Sequence, residues 1–156
     1  MNRVISKEYR NKPCPTCGSF TNRGPCIDAI IVRDNKILLI KRGAEIFTGY
    51  WALVGGYLEW DESYEDCVRR EVKEEVGLDV VSTKLLGVYS DPARSPVQSV
   101  SATYIAEVKG IPHAGDDAQE VKWFEFDKLP RELAFDHAFI IKDYLKSANQ
   151  KKQSIF

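Results

Sequence analysis

Apolar and polar positions repeat along this chain with two different periods. AIIV (29–32) and KILLIK (36–41) are apolar runs of strand length on either side of a polar turn, Arg33-Asp34-Asn35. TKLLGVYS (83–90) and EVKWFEF (120–126) predict further strands. Residues 97–108 alternate, placing Val100, Ala102, Tyr104, Ala106 and Val108 on one face. Two segments repeat at helical spacing instead. One runs from Ser63 to Gly77, with Ser63 as N-cap, Asp66 completing a capping box and Gly77 just past the end. The other is FDHAFIIKDYLKS (135–147), with Phe135, Phe139, Ile140 and Tyr144 among its apolar positions. GYWALVGGYLEWDE (49–62) reads as a short strand entering a loop, and DPARSP (91–96) as a loop punctuated by two prolines. Helices interleave with a strand-rich middle, which predicts an α/β class with helices packed on a mixed sheet.

Composition narrows the possibilities. With 156 residues, 44% hydrophobic and 29% charged, the chain suits one domain with a real core. A formal net charge of −1 provides no electrostatic footprint for nucleic acid or an anionic membrane surface, so neither is expected as a partner. No apolar run has transmembrane length, and the N-terminal stretch is polar and mixed in charge, unlike a signal peptide. Residues 1–26 are polar and rich in Pro, Gly and Cys, and predict an extension with a Cys-rich knuckle ahead of a main domain at 27–150. The four cysteines then read as thiols or metal ligands in a cytoplasmic protein.

The first helix carries an unusual charge pattern, REVKEEVG (70–77). At about 100° per residue, with Glu71 at zero, Glu75 falls near +40° and Glu74 near −60°. Val68, Val72 and Val76 fall at about +60°, +100° and +140°. The acidic face therefore borders the apolar one, and the helix can dock by its valines while holding glutamates at a cleft edge. Arg70 borders the acidic face, while Arg69 and Lys73 point to water. An E-x-x-E-E pattern alone is most often a solvated charged face. A hard divalent cation, however, wants carboxylate oxygens, and a glycine loop sits just upstream.

GYLEWDESYEDCVRREVKEEVGL (56–78) resembles the Nudix box: Gly56, Glu62, Arg70, Glu71, Val72, Glu74, Glu75, Gly77 and Leu78 fill every specified position of that signature. A chance match lies below about one in ten million per start position. The resemblance implies the Nudix-type α/β/α sandwich with a central mixed sheet. It also implies hydrolysis of a nucleoside diphosphate linked to another group, with Mg²⁺ or Mn²⁺. Carried over by position, it implies Glu71, Glu74 and Glu75 as metal ligands, the Gly56 carbonyl as a further ligand, and Arg70 and Glu62 as residues that hold the carboxylates. For the general base, Glu120 is the first candidate, also counted as a possible metal ligand, and Glu71 the second.

Pro92, fifteen residues after Gly77, together with LLGVYSDPARSP (85–96) and LAFDHA (133–138), resembles the ADP-ribose pyrophosphatase subgroup. This implies ADP-ribose or a related sugar nucleotide as substrate. A triphosphate pyrophosphohydrolase and a non-catalytic nucleotide sensor are the alternatives. Arg42 and Arg94 are candidates to meet phosphate or the adenine side, and Tyr50 to stack on a base. CPTCG (14–18) resembles half a zinc ribbon, with Cys14, Cys17 and Cys26 as candidate ligands of a structural Zn²⁺. A homodimer is compatible with this reading.

Overall fold

The computed structural model describes residues 13, 18, 22–115 and 118–153 and, of 151–153, the backbone. Among these, β1 (Pro25–Arg33) and β2 (Lys36–Arg42) form a hairpin, β3 is Trp51–Ala52, and α1 (Tyr64–Val76) follows. β4 (Asp79–Tyr89), a 3-10 turn at Pro92–Arg94, β5 (Val100–Lys109), β6 (Ala118–Glu125) and α2 (His137–Gln153) complete the order. The hairpin turn has Asp34 and Asn35 both at positive φ, 50° and 58°, the geometry that matches strand twist.

The strands form one six-stranded sheet in the order β3-β2-β1-β5-β4, with β6 on β2. β1 and β5 run parallel and the other pairs antiparallel, so the sheet is mixed, as expected. β1 is buried on both faces. Its Ile27, Ala29 and Ile31 pack with Val68, Val72 and Val76 of α1. Ile30 packs on the opposite face with Ile140 and Ile141 of α2. The period of two thus sends alternate residues into two helix–sheet cores, and an α/β/α sandwich results.

Several boundaries differ from the sequence reading. β1 opens inside the stretch expected to be an extension, because Pro25–Ile31 pairs residue for residue with Val100–Ala106. Phe135 precedes α2 in a left-handed conformation (φ 54°), and Phe139 is 58% exposed. Ile140, one of the expected apolar positions, is buried together with Ile141.

β1 and β2 touch only beside their turn and then splay apart. The chain leaving β3 fills the gap. The Ala29 N–H donates to the Val54 carbonyl (2.8 Å) and the Ile27 N–H to the Gly56 carbonyl (2.9 Å). Gly55 and Gly56 therefore lie inside the sheet, directly against α1.

Candidate active site

α1 is fixed at both ends and along one side. The Ser63 hydroxyl accepts the Asp66 N–H (3.1 Å), the Asp66 carboxylate accepts the Ser63 N–H, and Gly77 closes the helix in the αL region at φ 70°. Val68, Val72 and Val76 are fully buried, which sets the rotation of the helix and presents Glu71 and Glu75 to the glycine loop. The approach is close. A Cβ added to Gly56 would lie 2.0 Å from Glu71 Oε1, and one added to Gly55 would lie 2.2 Å from the Ile27 carbonyl oxygen.

Arg70 organises the charges. Its Nε and Nη2 grip both oxygens of Glu62 (2.7 and 3.0 Å), and Nη2 also reaches the Tyr57 carbonyl (3.0 Å). Nη1 donates to Glu71 Oε1 (2.7 Å) and to Glu74 Oε2 (3.2 Å). The guanidinium pulls the Glu62 carboxyl down to about 2, and Glu62 in turn raises Arg70. Burial pushes Glu71 the other way, above the ordinary carboxylate range, despite its hydrogen bond from Arg70. Cys67, one turn before Glu71 on α1, lies beneath this network. Its thiol donates to the Tyr57 carbonyl and accepts from Arg70, and burial raises it to about 12.

The three glutamates do not converge on one point. Like charges separate and each takes the nearest donor: Glu71 and Glu74 reach Arg70, and Glu75 accepts the Gly55 N–H (3.0 Å). Accordingly, no group of three His, Cys, Asp or Glu side chains forms a ready metal cluster among the described residues. Glu71 and Glu75 line the cavity beside the helix, whereas the Glu74 side chain is 59% exposed. The donor chemistry nevertheless fits a hard divalent cation. Two carboxylates meet a glycine backbone that leaves no room for a side chain, and the Gly56 carbonyl keeps a second lone pair.

The cavity has a volume of about 440 Å³ and runs from Gly55, Glu71 and Glu75 to the start of α2. Arg42 lines it, with Nε on the Ile46 carbonyl (2.9 Å) and its guanidinium 4.9 Å from the centre of the Phe135 ring. Tyr50 lies outside the lining, edge-on to Phe47. Pro92 is exposed and opens the 3-10 turn that carries Arg94 inward. Arg94 lines the cavity but is buried in ion pairs with Asp28 (3.1 Å) and Asp136 (3.0 Å), which removes it as an open phosphate ligand. Glu120 is exposed on β6 opposite Lys41 and does not line the cavity. Cys14 and Cys17 lie outside the described residues. Cys26 belongs to β1, where its buried thiol donates to the Val100 carbonyl, and burial raises it above the ordinary thiol range.

The sequence reading gave Asp28, Asp136 and His137 no individual role in this cavity. The Leu53 N–H donates to His137 Nδ1 (3.0 Å), so the ring proton sits on Nε2, facing Asp28 Oδ1 at 3.2 Å. The available signal was a lone aspartate in the otherwise apolar run CIDAIIV (26–32), since a charge on a central strand needs buried partners.

A family model described as NUDIX domain matches residues 22–144. The chain is 50% identical over 125 residues to a protein of Methanocaldococcus jannaschii named ADP-ribose pyrophosphatase, covering 79% of this chain and 73% of that one. It is 31% identical over 121 residues to the NAD-capped RNA hydrolase NudC of Pseudomonas aeruginosa, of which it spans 42%, with 75% of this chain covered. Among solved structures, a MutT/nudix family protein from Enterococcus faecalis superposes with a TM-score of 0.77 at 30% identity, over 85% of this chain and 64% of that one. The NUDIX domain of Shewanella oneidensis NrtR, solved as a complex with ADP ribose, superposes with a TM-score of 0.73 at 25% identity, over 83% and 90% of the two chains.

Proposed function

The chain belongs to the Nudix hydrolase family, and from that premise we propose that it hydrolyses the pyrophosphate bond of ADP-ribose or a related sugar nucleotide with Mg²⁺ or Mn²⁺. The observation that carries this reading is the placement of Glu71, Glu75 and the Gly55–Gly56 backbone at one end of a cavity that extends to α2. That layout suits a molecule with a diphosphate at the glutamates and a further group in the cavity. The M. jannaschii protein named ADP-ribose pyrophosphatase and the NrtR domain bound to ADP ribose support the choice of substrate. The chain spans less than half of the NudC relative, so RNA caps are not carried over from it.

Glu71 and Glu75 would hold the cation with the Gly56 carbonyl, and Glu74 would join from the solvent side. When bound, the cation neutralises phosphate oxygens and stabilises the attacking and leaving oxygens. Arg70 and Glu62 hold the Glu71 carboxylate toward Gly56. Of the two candidates to take a proton from water, the cavity favours Glu71, which lines it, over Glu120, which does not. Arg70→Lys keeps the charge but loses the fork on Glu62, so activity should fall about 10- to 100-fold. The decline should appear as a higher Mg²⁺ concentration at half-maximal rate, and an unchanged Mg²⁺ titration would reject this role.

The test of the reaction is a Mg²⁺-dependent hydrolysis screen over ADP-ribose, other nucleoside diphosphate sugars, dinucleotides and nucleoside triphosphates. Release of AMP and ribose 5-phosphate from ADP-ribose is expected. Turnover of triphosphates alone would replace the proposal with a triphosphate pyrophosphohydrolase, and turnover of none with a nucleotide sensor. Exposed Val81, Leu85 and Val88 on edge strand β4 support self-association, which light scattering tests.

A further inference from the structure

Two benzene rings line the cavity, those of Phe135 and Tyr57. They differ in what already touches them. The Phe135 ring is occupied. The Arg42 guanidinium stands 4.9 Å from its centre, Phe47 meets it edge-on at 4.9 Å, and His137 lies tilted against it at 5.2 Å. Among the described residues, no ring or cation stacks on Tyr57, which is 54% exposed. Tyr50, the aromatic that the sequence singled out for stacking, lies outside the lining and is engaged with Phe47.

Exposed as it is, Tyr57 is held in place. One side of its ring rests on Gly24, just ahead of β1. A Cβ added to Gly24 would lie 2.9 Å from Cε1 and 3.4 Å from Cδ1, so the absent side chain is what gives the ring its room. The backbone is tied on two sides. The Tyr57 carbonyl accepts from Arg70 Nη2 (3.0 Å) and from the Cys67 thiol (3.6 Å), both on α1. Tyr57 also bridges to Cys26 of β1, and the Leu58 N–H donates to the Pro25 carbonyl (3.2 Å). A ring fixed in this way loses little freedom when a ligand covers it. It follows Gly56 directly, at the end of the cavity that carries Glu71 and Glu75. Burial of part of the side chain raises the phenol above the ordinary tyrosine range, so the ring adds no negative charge beside those carboxylates.

We propose that Tyr57 is the platform on which the nucleobase of the substrate stacks, and that Gly24 positions its ring. The proposal rests on the reading of the cavity as a nucleotide site and adds which side chain takes the base. Every nucleobase has a flat π-face, and an exposed tyrosine ring is a surface of the matching kind. With Phe135 covered and Tyr50 outside, Tyr57 is the aromatic ring that the lining leaves open to a ligand. Its place next to Gly56 lets one ligand put its diphosphate at the glutamates and its base on the ring.

The test is titration of the full chain, with Mg²⁺ present, against ADP, its fluorescent etheno-adenine analogue and inorganic pyrophosphate. All three carry the diphosphate, and pyrophosphate lacks the base. The unmodified protein should quench the etheno-adenine emission, as stacking on a ring does. Tyr57→Ala should abolish the quenching and weaken ADP about 5- to 150-fold. The loss for ADP should exceed the loss for pyrophosphate at least about fivefold. Tyr57→Phe should recover most of what alanine loses, because the ring stacks and the hydroxyl does not. Gly24→Ala keeps Tyr57 but pushes its ring, and Gly24 is not in the left-handed region, so alanine adds only that push. It should weaken ADP more than pyrophosphate, by a smaller factor than Tyr57→Ala. A loss shared equally by ADP and pyrophosphate would make Tyr57 a support of the glycine loop and overturn the platform. Emission unquenched by the unmodified protein overturns it too, and so does a Tyr57→Ala variant that binds ADP as the unmodified protein does. Should Tyr57→Ala fail to fold, the quenching and Gly24→Ala still decide. A selective loss of ADP in a protein that never cleaves ADP-ribose would count against the proposed reaction and leave the platform standing. Cleavage of ADP-ribose with no selective loss would do the reverse.

Discussion

Glu75→Gln is expected to lower kcat for Mg²⁺-dependent hydrolysis about 10³-fold, the equivalent of several kcal/mol of lost charge stabilisation. The melting temperature should move by no more than about 2 °C. The separation of the two effects follows from what Glu75 touches. Its Oε2 accepts the Gly55 N–H at 3.0 Å, and a glutamine oxygen can accept the same bond, so the junction of loop and helix survives. The variant loses the negative charge facing the cavity, and a neutral amide oxygen is a much poorer ligand for a hard cation. Rates measured across a Mg²⁺ titration, beside a thermal melt, check both halves. Turnover near that of the unmodified protein would remove Glu75 from the metal set.

The second large effect separates two adjacent glycines. Gly55→Ala should destabilise the fold by about 3 kcal/mol, the upper range for overpacking a filled site. For a chain of this size that lowers the melting temperature by roughly 6–12 °C. The new methyl would meet the Ile27 carbonyl oxygen at 2.2 Å, and that atom belongs to the central strand of the sheet. The hydrogen bonds of Ala29 to Val54 and of Ile27 to Gly56 clamp the loop on both sides, so neither backbone can yield without breaking one of them. Gly56→Ala meets a different neighbour, the carboxylate of Glu71 at 2.0 Å. A side chain can swing away, so stability should fall by less than about 1 kcal/mol. Activity should drop about 10- to 100-fold, because the displaced carboxylate is one of the two that face the cavity. Equal melting temperatures for the two variants would contradict this account.

Both effects come from parts of the chain that the sequence describes well. The period of α1 placed Val68, Val72 and Val76 inward and Arg69 and Lys73 outward, and the structure agrees. Ser63, Asp66 and Gly77 marked the helix ends, and the hairpin turn was visible in Asp34-Asn35. Such features depend on neighbours a few residues apart, and side-chain direction within one helical turn follows from local geometry alone. Arg70 bordering the acidic face, and so reaching Glu71, followed from the same geometry, whereas the pairing of Arg70 with Glu62 was implied only by the resemblance.

The remainder of the site depends on contacts that no local pattern encodes. Arg94 looked like a cation open to phosphate, because its partners Asp28 and Asp136 lie 66 and 42 positions away. His137 looked like one residue of an amphipathic helix, and its tautomer is set by Leu53, 84 positions earlier. Glu120 shares a strand edge with Lys41 and faces solvent, a position decided by the pairing of β6 with β2. The sequence by itself determined the elements, the caps and the glutamate-bearing helix, since those follow from the few residues that surround each position. Only the tertiary structure decided that Glu71 and Glu75 face the cavity while Glu74 faces water, and that Arg94 is sealed among aspartates. Burial and charge pairing there come from strands and helices that meet only when the sheet is assembled.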